Sequence, residues 1–142
     1  MPRTLSPAAG HRRTRRDHAE ETAADYVEAI AELSAGIGAC RVRDLAQRFG
    51  VSHVTVIRTV ARLVRDDLAR SEPYGPIELT KRGHQLAKLA RQRHATVYDF
   101  LVALGVSPAT AKIDSEGMEH HVSPETLRHM KRYVRSSQEP TP

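Results

Sequence analysis

Residues 42–68, VRDLAQRFGVSHVTVIRTVARLVRDDL, decide the fold of this 142-residue chain. Their apolar spacing predicts two short helices with a tight turn at Gly50 between them, and Ser52 is placed to cap the second helix. Two short helices joined in this way form a helix-turn-helix. The apolar positions of the second helix fall on one side and are expected to be buried: Val56, Val60, Leu63 and Val64.

The opposite side of the second helix is polar and basic. It carries the candidate DNA-binding residues His53, Thr55, Arg58, Arg62 and Arg65. A helix in the major groove needs an apolar back, short polar residues near its start for base edges, and arginines for guanine or phosphate. An ordinary amphipathic surface helix also exposes arginines, so the neighbouring sequence has to distinguish the two interpretations.

A Pro- and Gly-rich segment follows the helix pair. In residues 69–80, ARSEPYGPIELT, two extended pieces flank Pro73-Tyr74-Gly75-Pro76, which predicts a β-hairpin wing. The tip of this wing, PYGP, contains no basic residue. A helix-turn-helix followed by a hairpin predicts a winged helix-turn-helix domain that binds double-stranded DNA.

The remaining segments are predicted to be helical, so the fold class is mainly α. A first helix is expected to start near Asp17 and to end at Gly36 and Gly38, with a buried stripe of Ala23, Tyr26, Val27, Ile30, Leu33 and Ile37. A long helix is expected from Thr80 to Leu104, with apolar positions Leu86, Ala90, Val97, Leu101 and Leu104. Two shorter helices should begin at Ser107-Pro108 and Ser123-Pro124, because Ser is a preferred cap and Pro fits the first turn.

Charge is distributed unevenly along the chain. Residues 1–16 hold five Arg and no acid, which is typical of a disordered solubilising tail or of an arm that follows DNA. Residues 17–40 hold six acids and no Lys or Arg, whereas residues 41–93 hold twelve basic and five acidic residues. The basic middle favours a polyanionic partner, and the acidic first helix favours a solvated face or a cation site.

Composition excludes several classes of protein. Only 4% of residues are aromatic and Trp is absent, which argues against a base-stacking platform or a carbohydrate cleft. The apolar runs are too short for a membrane span or a secretory signal, so a cytoplasmic protein with no membrane partner is expected. The single cysteine, Cys40, allows no intrachain disulfide and no cysteine zinc cluster, which leaves metal chemistry to His and carboxylates.

Three groups of residues could bind such a metal. Asp25 and Glu28 lie three residues apart on the first helix, where a solvated acidic face is the alternative. His94 lies on the apolar stripe of the long helix, where a core histidine is the alternative. In the run SEGMEHH, two carboxylates and an imidazole are spaced to meet on one helical face: Glu116, Glu119 and His120. Oxygen and imidazole donors suit Mn²⁺ or Fe²⁺, and the set is large enough for one or two ions per subunit. His121 points about 100° away from His120 and is not a predicted ligand.

At these residues the chain resembles the manganese transport regulator branch (MntR) of the DtxR family of metal-dependent repressors. The resemblance covers about residues 17–134, and its most specific parts are DYVE, VSHVTVIRTVARL, RHATVYDFLVALGVSP and EGMEHHVS. It implies the same six metal ligands: Asp25, Glu28, His94, Glu116, Glu119 and His120. Iron-responsive relatives typically have Met at the position of Asp25, so Asp resembles the manganese-type site.

The resemblance also implies an architecture and a function. The expected domains are a flexible basic extension over 1–16, a winged helix-turn-helix DNA-binding domain over 17–82, and an all-helical dimerisation and metal-binding domain over 83–142. It implies a homodimer that binds a palindromic operator and represses manganese uptake genes when Mn²⁺ is bound. The open alternatives are an iron- or zinc-responsive regulator of the same fold, and a small metal-dependent hydrolase or oxygenase. An enzyme is not expected, because the sequence offers no nucleophile and no phosphate loop, and no small-molecule substrate is implied.

Overall fold

The computed structural model describes the backbone of residues 7–140 and the side chains of residues 22–140. Its elements, in order, are α1 (Pro7–Ile37), α2 (Val42–Phe49), α3 (His53–Arg65), β1 (Ala69–Ser71), β2 (Ile77–Leu79), α4 (Lys81–Ala103), α5 (Pro108–Met118), a 3-10 turn (Glu119–His121) and α6 (Pro124–Gln138). The chain divides into two compact units, Met1–Lys88 and Leu89–Pro142, so the division falls inside α4. The sequence places a boundary six residues earlier, between 82 and 83.

The first helix is longer than expected. It begins at Pro7, not near Asp17, so the prediction of its start is wrong. Proline is well suited to the first turn of a helix, and Ser6-Pro7 repeats the dipeptide that starts the two last predicted helices. The basic side chains before Asp17, and the predicted cap at Asp17 itself, lie outside the described residues. The helix ends at Ile37, as the following Gly38 predicts.

The helix-turn-helix is confirmed. Gly50 ends α2 in the left-handed conformation, with φ of 64°, a region that glycine enters without the usual steric cost. Ser52 then caps α3, because its Oγ accepts a hydrogen bond from the Thr55 backbone N–H at 3.2 Å. Two contacts join α1 to α2: the Tyr26 and Phe49 rings stack with centroids 4.5 Å apart, and Arg48 pairs with Glu32.

The core of the first unit forms between α1, the helix pair, the strands and the start of α4. Its largest fully buried side chains are Val27, Ile30, Cys40, Leu45, Val56, Leu63 and Ile77. Two predicted core residues are exposed instead: Ile37 is in the last turn of α1, and Val64 is at the end of α3. Both lie at helix ends, where the periodicity continues but the neighbouring elements no longer cover the side chain.

The wing is a two-stranded antiparallel hairpin. Ala69 pairs with Leu79 and Ser71 with Ile77, and the Ile77 N–H donates to the Cys40 carbonyl at 2.7 Å. The hairpin therefore joins the segment before α2 as well as its own partner strand. Thr80 follows the hairpin and caps α4, since its Oγ1 accepts from the Gly83 N–H at 3.0 Å.

The buried thiol of Cys40 leads to a first prediction. Burial raises its pKa from 9.0 to about 11, and the Asp44 carboxylate adds to the rise. The folded state disfavours the thiolate, so ionisation of this thiol favours unfolding. The free energy of unfolding therefore falls only as the pH rises above 9.0, the ordinary pKa of the thiol, and is unaffected at neutral pH. We expect iodoacetamide to label Cys40 slowly in the native protein at pH 8, and at the rate of a free thiol in guanidinium. Equal rates by mass spectrometry would contradict the burial.

The second unit is built around a smaller core. Val97 and Leu101 from α4, Ala111 from α5 and Met130 from α6 are buried together. Ser107 and Ser123 cap α5 and α6 as predicted, each accepting from the N–H of a Thr three residues later. The predicted core position Leu104 is exposed, because α4 ends at Ala103 and Gly105 turns the chain with φ of 102°. Every helix within residues 7–140 is too short or too polar to span a bilayer.

Candidate functional site

The most unusual side chain of the second unit is Glu119. It follows α5 directly, at the point where the chain tightens from an α-helix into the 3-10 turn Glu119–His121. The residue is only 5% exposed. Burial of a carboxylate is costly unless the group is paired or bound to a metal, so this position is not an ordinary solvated acid.

Two imidazoles lie beside the two oxygens of this carboxylate. His94 Nδ1, from α4, is 2.9 Å from Glu119 Oε2, and His120 Nε2 is 3.4 Å from Glu119 Oε1. We call these three residues, His94, Glu119 and His120, the histidine–glutamate cluster. His120 is largely covered, with 10% of its side chain exposed, while His94 is 30% exposed. The second unit therefore brings together three of the six predicted metal ligands.

The other predicted ligands are placed as follows. Glu116 is exposed on α5, one turn before the buried Glu119. Glu119 continues the buried face of α5 four residues after the buried Ser115, whereas Glu116 follows Ser115 directly and so lies to the side of that face. Asp25 and Glu28 are half-buried on neighbouring turns of α1, in the first unit. His121, which was not a predicted ligand, is exposed at the end of the turn.

The donor set of the histidine–glutamate cluster fits a divalent transition metal. It offers one carboxylate and two imidazoles and contains no sulfur, a combination that suits Mn²⁺, Fe²⁺ or Zn²⁺ better than Cu⁺. The donor atoms of the three groups already lie 2.9 to 3.4 Å from one another along this cluster, close enough to serve as neighbouring ligands of one cation.

The second candidate surface is the outward side of α3. All five predicted DNA-binding residues are exposed there: His53, Thr55, Arg58, Arg62 and Arg65. The side facing the core is formed by Val56, Thr59, Val60 and Leu63. At about 100° per residue, Arg58 and Arg65 point almost directly away from this buried side, whereas Thr55 lies at its flank. Thr55 Oγ1 is also 3.0 Å from Ser52 Oγ, so its hydroxyl takes part in the helix cap.

Sequence reasoning missed three exposed residues of the first unit, two on α3 and one at the wing. Val54 and Ile57 are 56% and 55% exposed on α3, beside the arginines. Arg41, immediately before α2, donates from Nη1 to the Tyr74 carbonyl at the wing tip, at 3.0 Å. The wing therefore has a guanidinium at its tip although PYGP contains no basic residue. The valine and isoleucine could have been found from the helical spacing, but the 33-residue separation of Arg41 from Tyr74 gives no local signal.

Known proteins share these features. Residues 80–140 match the family described as the iron-dependent repressor, metal-binding and dimerisation domain. The transcriptional regulator MntR of Escherichia coli O6:H1 is 46% identical over 118 residues, which cover 83% of this chain and 76% of that protein. The HTH-type transcriptional regulator MntR of Listeria monocytogenes serotype 4a is 37% identical over 99 residues, 70% of each chain. The solved structure of the manganese regulator SloR matches with a TM-score of 0.69 and 25% identity, over 80% of this chain and 53% of that one, so this chain spans about half its length.

Proposed function

Because this chain belongs to the MntR branch of the DtxR family of metal-dependent transcriptional repressors, we propose that it represses manganese uptake genes when Mn²⁺ is bound. The observation that carries this proposal is the buried Glu119 carboxylate with an imidazole at each oxygen. Family members are transcriptional regulators and not enzymes, which removes the hydrolase and oxygenase alternative. A cytoplasmic location follows from the same role, since the operator is there.

The proposed metal ligands are the histidine–glutamate cluster together with Asp25, Glu28 and Glu116. The support for Asp25 and Glu28 is their match to the family motif DYVE and their half-buried position on an acidic helix. The support for Glu116 is its place in the family motif EGMEHHVS, one turn before Glu119 on α5. These residues offer four carboxylates and two imidazoles, enough for one ion or for two ions with bridging carboxylates.

In the proposed mechanism, metal binding orders the segments that carry the ligands before DNA binds. Four carboxylates of like charge repel one another when they are brought together, so without a cation their convergence is unfavourable. A bound divalent cation supplies the positive charge that makes their convergence favourable. Ordering these segments in advance lowers the entropy lost when DNA binds. Coupling of this kind is typically about 1 to 3 kcal/mol, or roughly 5- to 150-fold in affinity.

We also propose a homodimer that meets the two halves of a palindromic operator. The matched family domain is described as a dimerisation domain and covers residues 80–140. Its large exposed apolar side chains support such an interface: Leu89, Val102, Leu104, Ile113, Met118 and Tyr133. Two copies would present two α3 helices, as a palindrome requires.

One experiment tests the function and the choice of metal together. Fluorescence anisotropy would follow the full-length protein binding to a labelled promoter fragment from its own uptake genes, in Mn²⁺, in anaerobic Fe²⁺, in Zn²⁺ and in chelator. We expect DNA affinity to rise at least fivefold with Mn²⁺ over chelator. A larger rise in DNA affinity with Fe²⁺ or Zn²⁺ than with Mn²⁺, at matched free metal concentrations, would identify that ion as the effector in place of Mn²⁺. Equal affinity in every arm would contradict metal control altogether.

Two arginines of α3 should differ in what they contribute to DNA binding. Arg58 lies near the start of the helix, where base edges are within reach, and Arg65 lies two turns later. We expect Arg58→Ala to cost about 1 to 3 kcal/mol on the cognate site and little on scrambled DNA. Arg65→Ala should weaken binding to cognate and to scrambled DNA by the same factor. It should also reduce the slope of log affinity against log salt concentration by about one. An unchanged cognate-to-scrambled ratio for Arg58→Ala would show that the helix does not read bases there.

A further inference from the structure

The centre of the outward side of α3 is partly apolar. Taking the buried Val56 as zero and about 100° per residue, Val54 lies at about 160° and Ile57 at about 100°, with Arg58 at about 200°. Val54 thus points away from the core and Ile57 lies at the flank between it and the buried side, and both are more than half exposed. They sit in the first two turns, the part of a recognition helix that approaches base edges.

Large β-branched side chains in this position need an explanation. A single exposed apolar residue is ordinary, but these two are adjacent, and the exposed Ala61 and Val64 continue the same stripe towards the end of the helix. Nothing in the folding of α3 requires them, because its packing side is complete with Val56, Thr59, Val60 and Leu63. Their stiff χ1 angles also mean that little side-chain entropy is lost when they are covered.

The charges around the pair indicate what covers them. Arg58, Arg62 and Arg65 are all exposed on the same side of α3, and the helix has no acidic residue. Apolar side chains surrounded by arginines suit a partner that carries phosphates and also presents an apolar group between them. In the major groove, the C5-methyl group of thymine is such a group, and apolar side chains are its usual contact.

We infer that Val54 and Ile57 are specificity-determining residues that contact thymine methyl groups in the operator. The inference rests on the proposed DNA-binding function and adds a base preference to it. The polar and basic residues then hold the helix in the groove, while these two side chains favour A·T pairs in one orientation, because only thymine carries the methyl group. Burial of one methyl group is expected to change affinity about fourfold.

Removing the methyl groups alone tests the inference. Duplexes selected from a random pool by the wild-type protein in Mn²⁺ would be resynthesised with deoxyuridine in place of each thymidine, which deletes the C5-methyl and leaves the hydrogen-bonding pattern. We expect the wild type to bind the thymidine duplex at least about fourfold more tightly than the deoxyuridine duplex. For the V54A/I57A variant, this ratio should fall to about one. Both positions are exposed, so thermal unfolding should match the wild type.

Val64 supplies the matched control. It is a valine on the same helix, 42% exposed, but in the last turn and away from the base-reading end. V64A should keep the wild-type ratio between the two duplexes. Equal wild-type affinity for both duplexes, or an undiminished ratio in V54A/I57A, would overturn the inference and favour a protein partner for this pair. Failure to bind even the thymidine duplex in Mn²⁺ would overturn the proposed function with it, a result distinct from equal binding.

Discussion

Glu119→Gln should abolish the stimulation of DNA binding by metal. The carboxamide has the same shape as the carboxylate, so the buried site stays filled, but the negative charge between His94 and His120 is lost. A neutral amide is a far weaker ligand for a hard cation. We therefore expect the full coupling, about 5- to 150-fold in DNA affinity, to disappear, while affinity in chelator is unchanged.

Anisotropy titrations with Mn²⁺ and with chelator measure this effect, and Glu125→Gln is the control. Glu125 is an exposed carboxylate in the first turn of α6, outside the proposed ligand set, so its variant should respond to Mn²⁺ like the wild type. His120→Ala should lose the response as Glu119→Gln does. If Glu119→Gln retains a normal Mn²⁺ response, the cluster is a structural ion pair and not the metal site.

Gly83→Ala should strongly destabilise the first unit. A Cβ at this position would lie 2.0 Å from the Leu68 carbonyl oxygen and 3.2 Å from Leu79 Cδ2. The obstacle is backbone, and the same carbonyl accepts a hydrogen bond from the Thr80 N–H at 3.1 Å, so it cannot move without disturbing the start of α4. We expect the free energy of unfolding to fall by about 3 kcal/mol or more, and Tm by roughly 10 °C.

The matched substitution is Gly36→Ala. Gly36 lies near the end of α1, and an added Cβ would meet nothing within 4 Å. Alanine reduces the entropy of the unfolded chain, so we expect a change between zero and about 1 kcal/mol in favour of folding. Urea unfolding followed by circular dichroism distinguishes the two variants. Similar stability of Gly83→Ala and wild type would mean that α4 does not approach Leu68 as closely as described.

The parts of the fold with local signals were predictable. Gly50, Ser52, Ser107 and Ser123 end or cap their helices through neighbours in the chain, and the Pro- and Gly-rich residues of the wing form the expected hairpin. The predictions of buried positions were wrong where burial depends on a second element that does not reach the residue. Periodicity assigned Ile37, Val64 and Leu104 to the core, but each lies at or just beyond a helix end, where no other element covers it.

The candidate site was predictable in its residue types but not in its contacts. Spacing nominated Glu116, Glu119 and His120, but it could not show that Glu119 is buried while Glu116, one turn earlier, is exposed, because burial depends on packing. The approach of His94 to Glu119 joins residues on different helices, which helical periodicity cannot indicate. The same holds for Arg41 at the wing tip, because a hydrogen bond across 33 residues is a product of the folded unit.

The repeated Ser and Thr caps have a consequence for the order of folding. In α3, α5 and α6 a serine accepts from the backbone of a threonine three residues later, so each of these starts is specified within four residues and can form before any distant contact. Docking of the wing is different, because its hydrogen bonds join residues more than thirty positions apart: Ile77 with Cys40, and Tyr74 with Arg41. Loop closure of that length costs entropy before it is repaid. We therefore expect the helices to form early and the wing to dock last, so that the wing amides are the first to exchange with deuterium in the native protein.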